Sequence, residues 1–186
     1  MGMPLATRRF TVDEYHRMAE AGIFHEDDRV ELLDGQIVEM TPIGPEHAGC
    51  VDDLAQWLTQ HLRGSAIVRV QNPVQLGDHA EPQPDIAVVR PRPGGYRGGH
   101  PGPRDVLLVV EVADTSLRDD RERKLPLYAQ AGIPEVWLVN LPEDGIDIHR
   151  EPRAGTCTSL RTARRGETVS PLAFPSLVLR VDDILG

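Results

Sequence analysis

The stretch Val106 to Val112, VLLVVEV, constrains the fold of this 186-residue chain more than any other. Five consecutive apolar residues, mostly β-branched, predict a strand buried on both faces, so the carboxylate of Glu111 near its end requires compensation. A buried unpaired charge is costly, and a metal, a cation or a strand end that reaches solvent is the usual remedy. Upstream, PQPDIAVV has the same grammar, with Asp85 beside an apolar run. Two acids on neighbouring core strands suggest a metal site.

The length suits a single domain over residues 1–186, with residues 1–9 expected to form a flexible tail. A net charge of −9 argues against a general electrostatic grip on nucleic acid or an anionic membrane, which leaves a local basic patch as the route to either. The N-terminus MGMPLATRRF has no apolar signal region, and no run approaches the roughly 20 residues needed to span a bilayer. A soluble, cytoplasmic protein without a membrane partner is expected. Cys50 and Cys157 form no CxxC and have no histidine at zinc spacing, so two reduced thiols are expected. All but one of the 20 basic residues are Arg; the exception is Lys124. The two types are interchangeable as solubilisers but not where a compact, titratable ammonium is needed.

Thr11 as N-cap and Glu14 at the capping-box position predict a helix from Thr11 to Ala21, stopped by Gly22. In RVELLDGQIVEM, Asp34-Gly35 predicts a hairpin. Alternation places Glu31 on a face with Leu33, and spacing alone favours a solvated strand carboxylate there. After the turn TPIGP, Pro45 starts a helix to Leu62, ended by Gly64, with a core-facing stripe of Val51, Leu54, Ala55, Leu58 and Leu62. His47 lies in its first turn, where an exposed position is the commoner outcome.

Strands are predicted at Ala66–Leu76 and Asp85–Val89. Residues 90–105, RPRPGGYRGGHPGPRD, cannot build a core and should form a mobile loop. With Tyr96 among Arg90, Arg92, Arg97 and Arg104, it is the chain's best candidate for a local nucleic-acid contact surface. Thr115 or Ser116 should cap the next helix, whose first turn carries Asp119 and Asp120 as the dipole prefers. Leu117, Leu125, Tyr128 and Ala129 form its buried side, bordered by Lys124, and Pro126 should kink or restart it. EVWLVN is a further strand with PEDGIDIHRE as its hairpin partner, and Pro171–Phe174 and Leu177–Val181 read as peripheral β structure. No Walker A loop, GxSxG elbow, HExxH helix or GxGxxG turn is present.

Asp85 and Glu111 on consecutive strands form an oxygen-donor pair suited to Mg²⁺ or Mn²⁺. Lys124, on a helix that packs back over the sheet, can reach the same place. Two acids, a metal and a lysine describe phosphodiester hydrolysis. RVELLDGQIVEMTPIGPEH, PQPDIAVV, LLVVEVADTS and RKLPLYAQAGIPEVWLVN, in this order, resemble the Uma-type family of bacterial restriction endonucleases within the PD-(D/E)XK nuclease superfamily. The resemblance implies an α/β fold: a restriction-endonuclease-like core with a mixed β-sheet flanked by helices, an added N-terminal helix and hairpin, and peripheral C-terminal β structure. It implies that Asp85 and Glu111 bind the metal and that Glu31 and His47 match an acidic and a histidine position of the family. The usual lysine two residues after the glutamate is replaced by Ala113, and the resemblance assigns its role to Lys124. The expected function is a metal-dependent endonuclease acting on DNA as a homodimer. The alternative is a catalytically inactive module that retains the nuclease fold for binding.

Overall fold

A computed structural model describes residues 7–25, 27–114 and 116–186. Helix α1 (Val12–Glu20) starts with the expected reciprocal capping box between Thr11 and Glu14. Of the nine residues read as a tail, 1–6 lie outside the described residues, while Arg8 pairs with Glu14 and Arg9 with Asp34. Strands β1 (Val30–Leu33) and β2 (Gln36–Glu39) form the expected hairpin. Its turn residues Asp34 and Gly35 have φ of 50° and 76°. Both central positions of this tight turn are therefore left-handed. A Cβ on Gly35 would also come within 2.5 Å of the Arg9 Cβ, so glycine is required there twice over.

The main sheet has six strands in the order β3 (Ile67–Val70), β4 (Ile86–Val89), β5 (Val106–Ala113), β6 (Glu135–Asn140), β7 (Gly145–Arg153) and β8 (Thr156–Arg164). Only β5 and β6 run parallel; every other neighbouring pair is antiparallel. Helix α2 (Pro45–His61) buries its expected stripe against one face, together with α5 (Val181–Leu185). The other face packs on Tyr128, Ala131 and Ile133 of the segment between β5 and β6. All eight residues of β5 are buried, as the apolar run VLLVVEV predicts.

Three elements differ from expectation. The strand expected over Ala66–Leu76 ends at Val70, because Gln71 turns left-handed with φ of 49°. The helix over Leu117–Ala131 restarts beside Pro126 as expected, at Leu125, but between α3 (Leu117–Asp119) and α4 (Leu125–Ala131) it passes through an unexpected π turn (Asp120–Lys124). The C-terminal region supplies the nine-residue edge strand β8 and the helix α5; its only other β structure is the short pair β9 (Thr168–Val169) and β10 (Leu179–Arg180). Pro171–Phe174 forms a turn instead of a strand.

Candidate active site

The sheet brings the two candidate metal-binding acids together. Asp85 immediately precedes β4 and Glu111 lies near the end of the antiparallel β5, so both stand at the same end of two adjacent interior strands. The backbone N–H of Val112 donates to Asp85 Oδ2 at 2.8 Å, which fastens the aspartate to the strand that carries Glu111. The π turn delivers Lys124. Its Nζ lies 3.3 Å from Glu31, 3.4 Å from Glu111 and 3.8 Å from Asp120. Among these five charged residues none is more than 9% exposed.

Two positions correct the sequence expectation. Glu31 is buried, not solvated: one oxygen meets Lys124 and the other accepts the Gln83 backbone N–H at 3.0 Å. The segment before β4 and the π turn cover Glu31 through Gln83 and Lys124, and alternation along one strand cannot reveal what covers its face. His47 is not exposed either; its side chain is 13% accessible and its Nε2 lies 3.1 Å from Asp85 Oδ2. That hydrogen bond raises the His47 pKa above its ordinary value, against the opposing effect of burial.

Two further residues belong to the cluster. Asp120, expected to complement the helix dipole, turns inward and accepts a 2.7 Å hydrogen bond from the Ser116 hydroxyl. Ser116 thus spends its hydroxyl on Asp120 and makes no helix cap, and the alternative cap Thr115 lies outside the described residues. Tyr128, read as core, donates from its buried hydroxyl to Glu111 at 2.6 Å. The available signal was the spacing Asp120, Lys124, Tyr128, which puts one side chain per turn on one face. Burial pushes the carboxyls of Glu111 and Asp120 up, against the pull of Lys124. Burial opposes the charge on Lys124, but Glu111, Glu31 and Asp120 outweigh it and hold its pKa above the ordinary value. Cys50, one turn beyond His47, is an inert free thiol whose pKa burial pushes up to about 12.

The arginine-bearing loop lies elsewhere. It joins the end of β4 to the start of β5, at the opposite end of the strands from Asp85 and Glu111. Arg92 stacks over Tyr96 at 4.0 Å, the Tyr96 hydroxyl donates to the Arg90 carbonyl, and Arg90 Nε donates to the Arg104 carbonyl. Arg97 flanks a shallow groove there with Arg69. The arginines that line the acidic cleft are Arg29 and Arg123.

The cleft has a volume of about 90 Å³, several times the roughly 10–15 Å³ that one water requires. Among the described residues, no three His, Cys, Asp or Glu side chains form a ready-made cage for an ion. The donor chemistry nonetheless fits a hard divalent cation: carboxylate oxygens from Asp85 and Glu111 converge on a cleft with room for retained waters. Among the described residues, the hydrogen bond that Asp85 Oδ1 accepts is a long one, 3.4 Å from Gln71 Nε2.

A mixed sheet that presents Asp85 and Glu111 at the same end of adjacent strands, flanked by helices, is the restriction-endonuclease-like fold. The chain belongs to the Uma2 family, whose model, described as "Putative restriction endonuclease", matches residues 12–182. It is similar to a protein from Anabaena variabilis, described as a "putative nuclease belonging to DUF820", with a TM-score of 0.72. Identity is 16%, over 95% of this chain and 97% of that one, so the likeness carries the fold alone. No curated protein matches the chain. No helix of the described residues is long and apolar enough to cross a membrane.

Proposed function

We propose that this protein is a metal-dependent endonuclease that hydrolyses phosphodiester bonds in DNA, with Asp85 and Glu111 as ligands of Mg²⁺ or Mn²⁺. The observation that carries the reading is the position of Lys124 within 3.3–3.8 Å of Glu31, Glu111 and Asp120, beside Asp85 in one cleft. When bound, the ion would polarise a phosphoryl oxygen and lower the pKa of a water. The protein's own groups have distinct tasks. Lys124, whose ammonium the surrounding carboxylates favour, donates hydrogen bonds and so orients the attacking water and offsets developing negative charge. Glu31 and Asp120 hold its ammonium in place. Tyr128 fixes the Glu111 carboxylate by donating to one oxygen, and His47 with the Val112 N–H fixes Asp85.

The test is Mg²⁺-dependent nicking of supercoiled plasmid by wild type and by Asp85→Ala. Activity in the wild type and its loss, by at least about a hundredfold, in the variant support the reading. Equal activity in both assigns the cleavage to another site or a contaminant.

A further inference from the structure

The acidic cleft has two unlike sides, and phosphodiester chemistry accounts for only one. Its floor is the acid cluster, with Glu111 3% and Asp85 9% exposed. Its other side sets Leu33 and Val38 of the hairpin and Met40, Pro42 and Ile43 of the segment that leads into α2 among the exposed polar residues Glu39 and Thr41. Pro42 and Ile43 are exposed, Ile43 by 37%.

An intact duplex suits this cleft poorly. It keeps its bases stacked inside and offers sugars and charged phosphates, for which apolar side chains have no complement. Its many phosphates would also meet a protein of net charge −9 that offers Arg29 and Arg123 in the cleft, while the arginine-bearing loop lies at the far end of the strands. An unpaired nucleotide is different. With its base splayed from the stack, it can lay the apolar base face on a hydrophobic surface while its phosphate enters the recess.

The geometry points to unpaired DNA, as a single strand, flap or bubble, as the substrate class of this cleft, with a base seated on Met40, Pro42 and Ile43 and its phosphate above Asp85 and Glu111. This rests on the proposed nuclease activity.

One labelled oligonucleotide separates the possibilities when offered to the full chain with Mn²⁺ in three forms: alone, fully paired, and paired except for a central bubble. Cutting of the single strand and within the bubble at least about tenfold faster than the duplex is the expected result, a margin that one base contact can supply. Cutting of the duplex at an equal or greater rate overturns the substrate class and leaves the nuclease reading standing. No cutting of any form, by wild type as by Asp85→Ala, removes both. Ile43→Glu, at an exposed position where the fold is not at risk, should raise KM for the single strand about tenfold with little change in kcat, because a carboxylate repels the base's neighbouring phosphates. An unchanged KM excludes these apolar side chains as the base seat.

Discussion

Lys124 stands among more negative charge than it can neutralise. Glu31, Asp85, Glu111 and Asp120 all line the cleft it enters, and three of them lie within 3.3–3.8 Å of its ammonium. Replacement by Met keeps the length of the side chain and removes the charge, leaving buried carboxylates without their cation. Breaking a buried pair in this way costs about 3–5 kcal/mol. Lys124→Met should lose stability of that order in urea melts with EDTA present, and recover part of it in Mn²⁺, since an ion that binds only the folded state stabilises it by mass action. Unchanged stability with EDTA would show that the acids do not depend on Lys124. Composition made this residue legible, because a lone lysine in an otherwise all-arginine set stands out. Glu31 and His47 were legible as candidates but not in their surroundings: strand and helix periods state which face a residue occupies, whereas burial depends on what folds over that face. Asp120 and Tyr128 were hidden for the same reason, each having an ordinary structural explanation until its partner is seen.

At the scale of elements, the π turn explains how a proline coexists with an aimed lysine. In an α-helix the Pro126 ring would clash with the carbonyl four residues back. Here the wider turn ends at Lys124, and Pro126 is the second residue of α4, directly after the break in the α register. One extra residue in a turn also rotates the rest of the helix by roughly 100°, so the π register decides where Lys124 points. The register is anchored on the sheet. Glu111, Leu138, Asp147 and Thr162 form one row across β5 to β8. Lys124 reaches the first of them, and Arg121 donates to Asp147 at 2.7 Å. Arg121→Met should cost only about 1 kcal/mol, since the arginine is 40% accessible and solvent screens its pair. It should nevertheless speed amide hydrogen exchange over residues 120–124 and lower cleavage more than stability. Exchange rates equal to wild type would remove Arg121 as the anchor. The π turn was not legible in the sequence beyond the conflict at Pro126, because a π turn has no residue signature of its own. β8 escaped notice for a related reason: an edge strand with polar residues at most positions lacks a strong period-two pattern.

For the molecule as a whole, the site sets stability against function, and pH exposes the balance. Burial raises the Glu111 pKa well above 4.5 and, less strongly, the Asp120 pKa above 3.8; the bond to Asp85 raises that of His47 above 6.5. A raised folded pKa means that the native state holds the proton more tightly than the unfolded chain. The resulting stability is fully present below the unfolded pKa and is lost as pH rises through the folded one. His100 and His149 work in the opposite sense, because burial lowers both, and their contribution fades as pH falls below the unfolded value. A single melting profile therefore mixes signs, but a difference between two proteins does not. In the absence of metal, Glu111→Gln should be more stable than wild type near pH 8, by about 1 kcal/mol, as expected when a strained functional charge is removed. Because wild-type Glu111 regains its proton on acidification and the variant has none to gain, the gap should narrow as pH falls through the raised folded pKa of Glu111 toward its ordinary value of 4.5. Saturating Mn²⁺ should reverse the order near pH 8, stabilising wild type by about 2.7 kcal/mol at a hundred times Kd and leaving the variant nearly unmoved. Urea melts of the two proteins at several pH values check this directly: a gap that stays constant with pH would show that Glu111 is ionised in the folded and unfolded chain alike, and that the cluster tolerates its charge without cost.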